Sequence, residues 1–273
     1  MNPASKLYIW RNHALFLTDL VIPVRSFTIG ADQLLVCLKG SIRRQINEHA
    51  HVTFKSALLR AGTKIPMSEV SSDAAIALFH LNPISQDYHA IKEQMALPIE
   101  NIAYHHAQEE QIISELTSLK KNNLCEQEAY NVFKNIITPA SVRDNVFFKF
   151  DDRVISVLEH IQETVRDNIS IEDMAARVFI SESRLVKLFK SQVGVSITRY
   201  RLRYRVFVGT LYISQGASVT EAALAAGFAS TAHFSKCFSA MIGAPPSAQF
   251  LRRPYLEVIL ANEFLKMSLK ATA

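Results

Sequence analysis

The chain has 273 residues, long enough for two ordinary domains or one large one. Hydrophobic residues make up 49% and charged residues 20%, a balance that excludes a disordered chain and favours packed globular structure. The formal net charge of +5 admits a polyanionic partner, and three widely spaced cysteines (Cys37, Cys125, Cys237) with no C-x-x-C pair exclude a disulfide framework and a cysteine zinc site.

Met1 to Lys6 is polar, and the apolar stretch beyond it is broken by Arg11, Asn12 and His13, so no signal peptide is expected. No run approaches the roughly 18 apolar residues of a membrane span. A cytoplasmic, reducing location with no membrane partner is expected. Residues 1–85 read as β-rich: Leu7–Trp10, Ala14–Leu17, Leu34–Leu38, Val52–Phe54 and Ala75–Leu81 are short apolar segments punctuated by Pro23, Gly30, Gly40, Gly62 and Pro66. They predict a small barrel or sandwich. From 86 to 138 the period turns helical, with Ile112, Ile113, Leu116 and Leu119 in one stripe and Tyr130, Phe133, Ile136 and Ile137 in another, as in a helical hairpin. Residues 139–152 read as a linker, 153–253 as all-helical, and 254–273 as an extension. The fold class is therefore α+β with two domains. The extension reads either as an amphipathic helix through Val258, Leu260, Phe264 and Leu265 or as disordered.

An internal repeat lies in the helical part. Ser170-Ile171-Glu172-Asp173-Met174-Ala175-Ala176 leads to Phe179-Ile180-Ser181. Ser218-Val219-Thr220-Glu221-Ala222-Ala223-Leu224 leads to Phe228-Ala229-Ser230, with Gly227 read as one extra residue. Leu185, Lys187, Phe189 and Gly194 then correspond to Phe234, Lys236, Phe238 and Gly243. Each copy opens with the spacing of a capping box, Ser170 with Asp173 and Ser218 with Glu221. Paired alanines keep the first helix thin. Ser181 or Ser230 can cap a second helix, whose core stripe is Leu185, Leu188, Phe189 and Val193 in one copy and Phe234, Cys237, Phe238 and Ile242 in the other. Gly194 and Gly243 are placed to end it. The pattern is helix, tight turn, helix, over about 170–194 and again over about 218–243.

A helix-turn-helix braces a recognition helix whose N-terminal half enters the major groove of double-stranded DNA. The candidate contacts are Ser181, Glu182, Ser183, Arg184, Val186, Lys187 and Lys190 in the first unit, and Ser230, Thr231, Ala232, His233, Ser235 and Lys236 in the second. Arg and Lys suit guanine, Glu suits cytosine, Ser suits several base edges, and apolar groups suit the thymine methyl. Between the units, 196–214 reads as one helix about 28 Å long. Its Arg199, Arg201, Arg203 and Arg205 are candidate phosphate contacts.

Residues 153–253 resemble the DNA-binding domain of AraC/XylS-family transcription regulators. The resemblance rests on Ala223-Leu224-Ala225-Ala226-Gly227-Phe228, on His233-Phe234-Ser235-Lys236-Cys237-Phe238, on Gly243, and on Pro246-Ser247-Ala248-Gln249-Phe250. It implies two sub-domains joined by a helix, binding near promoters, recruitment of RNA polymerase and, as the family's usual outcome, activation. It also implies that 1–138 is a regulatory and dimerisation domain. Three departures stand out. Gly209 occupies a linker-helix position where the family commonly has alanine, which predicts a loosening of roughly 1 kcal/mol. Leu251 replaces a common arginine, although Arg252 and Arg253 follow. Ser183 is small, so no base preference carries over.

Two further readings stand beside this one. His49-Ala50-His51 resembles the His-x-His of cupin-like metal enzymes, with His80, His105 and His106 as further ligands, but no acidic residue follows closely; the next is Glu69. No phosphate loop, nucleophile elbow or paired-carboxylate signature stands out, so no catalytic residue, metal or cofactor is expected. The N-terminal domain, read as a small cupin-like β-barrel with a helical hairpin, is either a receptor for a small-molecule effector or only a platform for dimerisation. In the receptor reading Lys39, Arg43 and Arg44 meet a carboxylate at the barrel mouth, and the resemblance adds that some activators of the family are thought to sense fatty acids. In the platform reading the hairpin stripe through Ile113 and Leu116 is the candidate homodimer surface.

Overall fold

The computed structural model describes residues 5–19, 27–65, 68–122, 124–242, 245–246 and 256–261. Two compact units result, one formed by the chain up to Phe148 together with the segment from Arg252, the other by Lys149–Leu251.

The first unit holds strands β1 (Ser5–Ile9), β2 (Ala14–Thr18), β3 (Phe27–Thr28), β4 (Gln33–Lys39), β5 (Ile42–Gln45), β6 (His51–Phe54), β7 (Ser56–Leu59), β8 (Lys64–Ile65), β9 (Glu69–Val70) and β10 (Ala75–His80). Helix α1 (Asp87–Lys92), strands β11 (Met95–Ile99) and β12 (Ile102–His106), and helices α2 (Glu109–Lys121) and α3 (Glu126–Ile137) follow. One sheet of eight strands runs β11-β12-β7-β4-β10-β2-β1-β13, where β13 is Leu256–Leu260; β6-β5-β9 and β3-β8 form smaller sheets. A barrel needs its first and last strands hydrogen-bonded to each other. Among the described residues β11 and β13 are not, so no closed barrel is formed among them.

Two stretches differ from the sequence reading. Residues 95–106, expected within a helical region, form the β11–β12 hairpin, turning at Glu100 with φ 55°. β12 pairs with β7, so the hairpin extends the sheet. The extension after 253, read as a helix or as disordered, contributes a strand: β13 lies parallel to β1, from Leu256 opposite Ser5 to Leu260 opposite Ile9. The run Leu-Glu-Val-Ile-Leu satisfies its backbone on the open edge of β1, and the Ala261 N–H donates to the Ile9 carbonyl at 3.0 Å. Phe264 and Leu265 lie outside the described residues.

Helices α2 and α3 bury Ile112, Leu116 and Leu119, and Phe133, Ile136 and Ile137, respectively. The Trp10 ring lies 5.2 Å from both Tyr130 and Phe133, and Phe79 meets Phe133 at 5.3 Å. The hairpin stripe expected to form a dimer surface is thus largely used within its own unit; Leu116 is fully buried and Ile113 half-buried. A second core gathers Ile29, Ile42, Val52, Phe54, Leu59 and Tyr104.

The chain is anchored just before it enters the second unit. The Gln86 carboxamide accepts from the Phe147 and Phe148 N–H groups at 2.9 Å each and donates to the Phe148 carbonyl at 2.6 Å. His89 stacks on the Phe148 ring at 4.8 Å with an interplanar angle of 1°.

Candidate nucleic-acid interface

The second unit consists of α4 (Asp152–Glu163), α5 (Ile171–Arg177), α6 (Glu182–Val193), α7 (Ile197–Ser214), α8 (Val219–Ala225) and α9 (Thr231–Ile242). Asp151 caps α4, accepting from the Arg153 backbone and from its guanidinium at 2.6 and 2.8 Å. The hydrogen bond from Arg153, reinforced by the Arg153 and Arg184 charges, lowers the Asp151 carboxyl to about 2.

The first helix-turn-helix is α5, a turn and α6. The Ser170 hydroxyl accepts from the Asp173 N–H at 2.9 Å. The Asp173 carboxylate meets the Ser170 hydroxyl at 2.6 Å; with one methylene fewer than Glu it binds the side chain of its cap. Met174 and Ala175 join Leu185, Phe189 and Val193 in the core, and Gly194 ends α6 with φ 82°. With that stripe inside, Glu182, Ser183, Arg184, Val186, Lys187 and Lys190 are exposed. Ser183, Val186, Lys187 and Lys190, spaced three and four apart, share one outward face. Ser181 stands at the N-cap in an extended conformation, its hydroxyl 3.4 Å from that of Ser183 and not engaged in capping.

The second unit repeats the plan with α8 and α9. Ser218 and Glu221 make the complete reciprocal box: the Ser218 hydroxyl accepts from the Glu221 N–H at 3.2 Å, and the Glu221 carboxylate accepts from the Ser218 N–H at 2.8 Å. Ala222, Ala223, Phe234, Cys237 and Phe238 are buried. Ser230 caps α9 by accepting from the His233 N–H at 3.2 Å. Ala232, His233 and Lys236 are exposed or nearly so; Thr231 and Ser235 are half-buried. The Ile242 side chain, Gly243, Ser247–Phe250 and Leu251–Arg253 lie outside the described residues.

The turns correct the alignment of the repeat. The Ile180 N–H bonds the Ala175 carbonyl at 3.1 Å, and the Phe228 N–H bonds the Ala223 carbonyl at 2.9 Å. Phe179 therefore corresponds to Gly227, both with positive φ (56° and 80°), and the extra residue of the second copy is Ala229.

Two of the four linker-helix arginines are held inside the unit. Arg201 donates to the Ile169 carbonyl at 2.6 Å. Arg205 donates to the Val165 and Asp167 carbonyls at 2.8 and 2.9 Å and to the Asn168 side chain at 3.0 Å. Spaced four apart, they tie one face of α7 to the segment between α4 and α5. Both guanidiniums are thus engaged within the unit, where the carbonyls between two helices need donors. Arg199 and Arg203 are half-buried on the same helix. Gly209 is equally constrained: a Cβ there would lie 2.6 Å from Cε2 of the buried Phe234. It is a close-packing site for α9, where the sequence suggested only a loosened helix.

The residues suggested for an effector do not converge. In β5 alternate side chains face opposite ways: Ile42 and Arg44 are buried, Arg43 and Gln45 exposed. Arg44 donates to the Tyr104 hydroxyl at 2.5 Å and to Glu100 at 3.0 Å, and its Nε is buried without a partner. Arg43 instead meets His51, and Lys39 pairs with Asp73. Among the suggested metal ligands, His49 is exposed before β6, His80 bonds Gln33, and His106 is buried, which lowers its pKa to about 4. Among the described residues no group of three or more His, Cys, Asp or Glu is placed to hold a metal ion, and no helix is long and apolar enough to cross a membrane.

A helix-turn-helix domain family matches residues 174–252. The chain is 32% identical over 87 residues to the transcriptional regulator GbdR of Pseudomonas aeruginosa, covering 32% of this chain and 24% of GbdR. It is 34% identical over 89 residues to MtrA of Neisseria gonorrhoeae, covering 32% of this chain and 30% of MtrA. The match thus spans about a quarter to a third of these relatives. In overall fold the chain is similar to the crystal structure of ToxT from Vibrio cholerae, with a TM-score of 0.58, 14% identity, and coverage of 88% of this chain and 97% of that one. The similar fold joins a β-rich N-terminal domain to a helical C-terminal one. Residues 174–252 thus form a helix-turn-helix domain of AraC type, similar to that of these transcriptional regulators.

Proposed function

We propose that the protein is a sequence-specific activator that binds promoter DNA through both helix-turn-helix units and works by engaging RNA polymerase. The observation that carries this reading is the outward face of α6: Ser183, Val186, Lys187 and Lys190 are exposed together on a helix whose opposite stripe is fully packed. In α9, His233 and Lys236 with Ala232 offer a smaller, less charged counterpart. Glu182 and Arg184 flank the first face, and the N-cap positions Ser181 and Ser230 suit phosphate contact. Homodimerisation, a cytoplasmic location and a non-enzymatic role complete the proposal, since regulators of this kind commonly read paired half-sites.

The N-terminal unit is proposed to hold a small-molecule effector. ToxT has been solved with an unsaturated fatty acid bound. Of Lys39, Arg43 and Arg44, only Arg44 faces an apolar core and keeps a buried Nε without a partner, so it is the residue proposed to meet a carboxylate. Melting the protein with candidate acids tests this: a ligand at 100 times its Kd adds about 2.7 kcal/mol. No shift with any of them leaves dimerisation as the unit's role. A shift that survives in Arg44→Ala removes Arg44 from the site.

DNA binding is tested by enrichment of genomic fragments on the purified protein across salt concentrations. Discrete sites are expected. Lys187→Ala should weaken binding by about 1–3 kcal/mol and relax one base position if Lys187 reads a base; a fall of about one in the salt slope would mean a phosphate contact. Weak, unselective binding unaltered by Lys187→Ala together with Lys236→Ala would overturn the reading.

A further inference from the structure

The geometry points to Phe179, in the turn of the first helix-turn-helix, as a DNA-contacting residue that takes an apolar spot at the edge of the major groove beside α6. This deepens the DNA-binding reading above and rests on it.

Three observations carry the inference. Phe179 adopts φ 56°, a left-handed conformation that bulky L-residues avoid, at a position where the second copy has Gly227. Its side chain is 93% exposed, so the ring contributes no burial to offset that strain. The turn's hydrogen bonds, Phe179 N–H to the Ala176 carbonyl at 3.1 Å and Ile180 N–H to Ala175 at 3.1 Å, use backbone that any residue supplies. The neighbouring Val178 and Ile180 do the packing. A strained, solvent-facing aromatic that the fold does not use indicates a functional constraint.

Position selects DNA as the occupant. Phe179 stands two residues before the N-cap Ser181, within about 7 Å of chain. The N-terminal residues of a recognition helix lie against base edges. Val186, one turn into α6, is the other large apolar side chain exposed on this helix-turn-helix. An apolar surface on duplex DNA at this depth is either the C5-methyl of thymine or the face of a deoxyribose.

The test uses the full chain, the site DNA recovered by enrichment, and the variant Phe179→Gly, which installs the residue found at the equivalent turn. The melting temperature is expected to hold or rise, because glycine relieves the left-handed strain. Affinity is expected to fall about tenfold, as for loss of a partly buried aromatic. Opposite signs are the signature, since a purely structural residue would lower both. Replacing site thymines one at a time by uracil then separates the two sources. A thymine whose methyl matters to the wild type and not to Phe179→Gly identifies the methyl; no such thymine identifies the sugar. Unaltered affinity in Phe179→Gly, with Lys187→Ala weakened, overturns the proposal and sends the ring to a protein partner. Unaltered affinity in both variants overturns the placement of α6 and its turn against the DNA, and this proposal with it.

Discussion

In the first helix-turn-helix the turn is open and the recognition helix is charged; in the second the turn is packed and the recognition helix is nearly neutral. Phe179 faces solvent, whereas a Cβ at Gly227 would lie 2.9 Å from Arg166 Cα and 3.0 Å from the Val165 carbonyl. Around Gly227 the structure is tied down further, with Arg166 donating to the Ala225 carbonyl at 3.0 Å and Arg205 to that of Val165 at 2.8 Å. Two copies with one local plan have thus diverged in where their constraint lies. The first carries it on an exposed surface; the second carries it in backbone packing.

Exchanging turn residues is the strongest way to break that comparison. Gly227→Phe is expected to destabilise by about 2–5 kcal/mol, combining left-handed strain with a clash against backbone that cannot yield. A melt within error of the wild type would mean that the approach of Arg166 is loose. Next is Gly209→Ala. Helix propensity favours alanine by about 1 kcal/mol, but overpacking against Phe234 costs about 1–3 kcal/mol, so a net loss is expected. A stabilised variant would show that the Phe234 ring moves aside freely. The caps come third: Ser218→Ala and Ser170→Ala should each cost about 1 kcal/mol, because each removes the hydroxyl that accepts from a first-turn N–H. No loss in denaturant melts of either variant would mean that water replaces that cap.

The smallest expected effect is a pH dependence. Asp151 has a folded pKa of about 2, held down first by its hydrogen bond from Arg153. Because that lies below the unfolded carboxylate value of about 3.9, its contribution is present above about pH 4 and is lost as pH falls toward 2. Asp151→Asn should flatten the acid limb in that window. His106 has the opposite charge and the same slope: burial depresses it to about 4, so the unfolded state gains its proton first and stability falls from about pH 6.5 toward 4. An acid limb unchanged by substitution at either residue would remove it from this account.

Local rules made much of the second unit legible. The serine caps, the alanine pairs, Gly194 and the unbroken α7 all follow from residues within one or two turns of each other. What escaped the sequence was set by partners far along the chain. A row of arginines does not announce that Arg201 and Arg205 will meet the carbonyls of 165–169. Gly209 reads as weak helix until Phe234, well beyond it in the chain, lands on it. The β11–β12 hairpin turns at Glu100 without the usual Asn-Gly signal, so only its pairing with β7 identifies it. Likewise, β5 places Arg43 and Arg44 on opposite faces, which their adjacency in sequence conceals.

The parallel pairing of β13 with β1 has a consequence for the order of folding. The first strand described in the chain is completed by one that leaves the ribosome only after both helix-turn-helix units. Until Leu260 is synthesised, the outer edge of β1 lacks its partner strand, and an unpaired edge is a template for association with other chains. The helical unit, rich in local contacts, can close during that interval. The strand that covers the edge of β1 is therefore made only after both helix-turn-helix units.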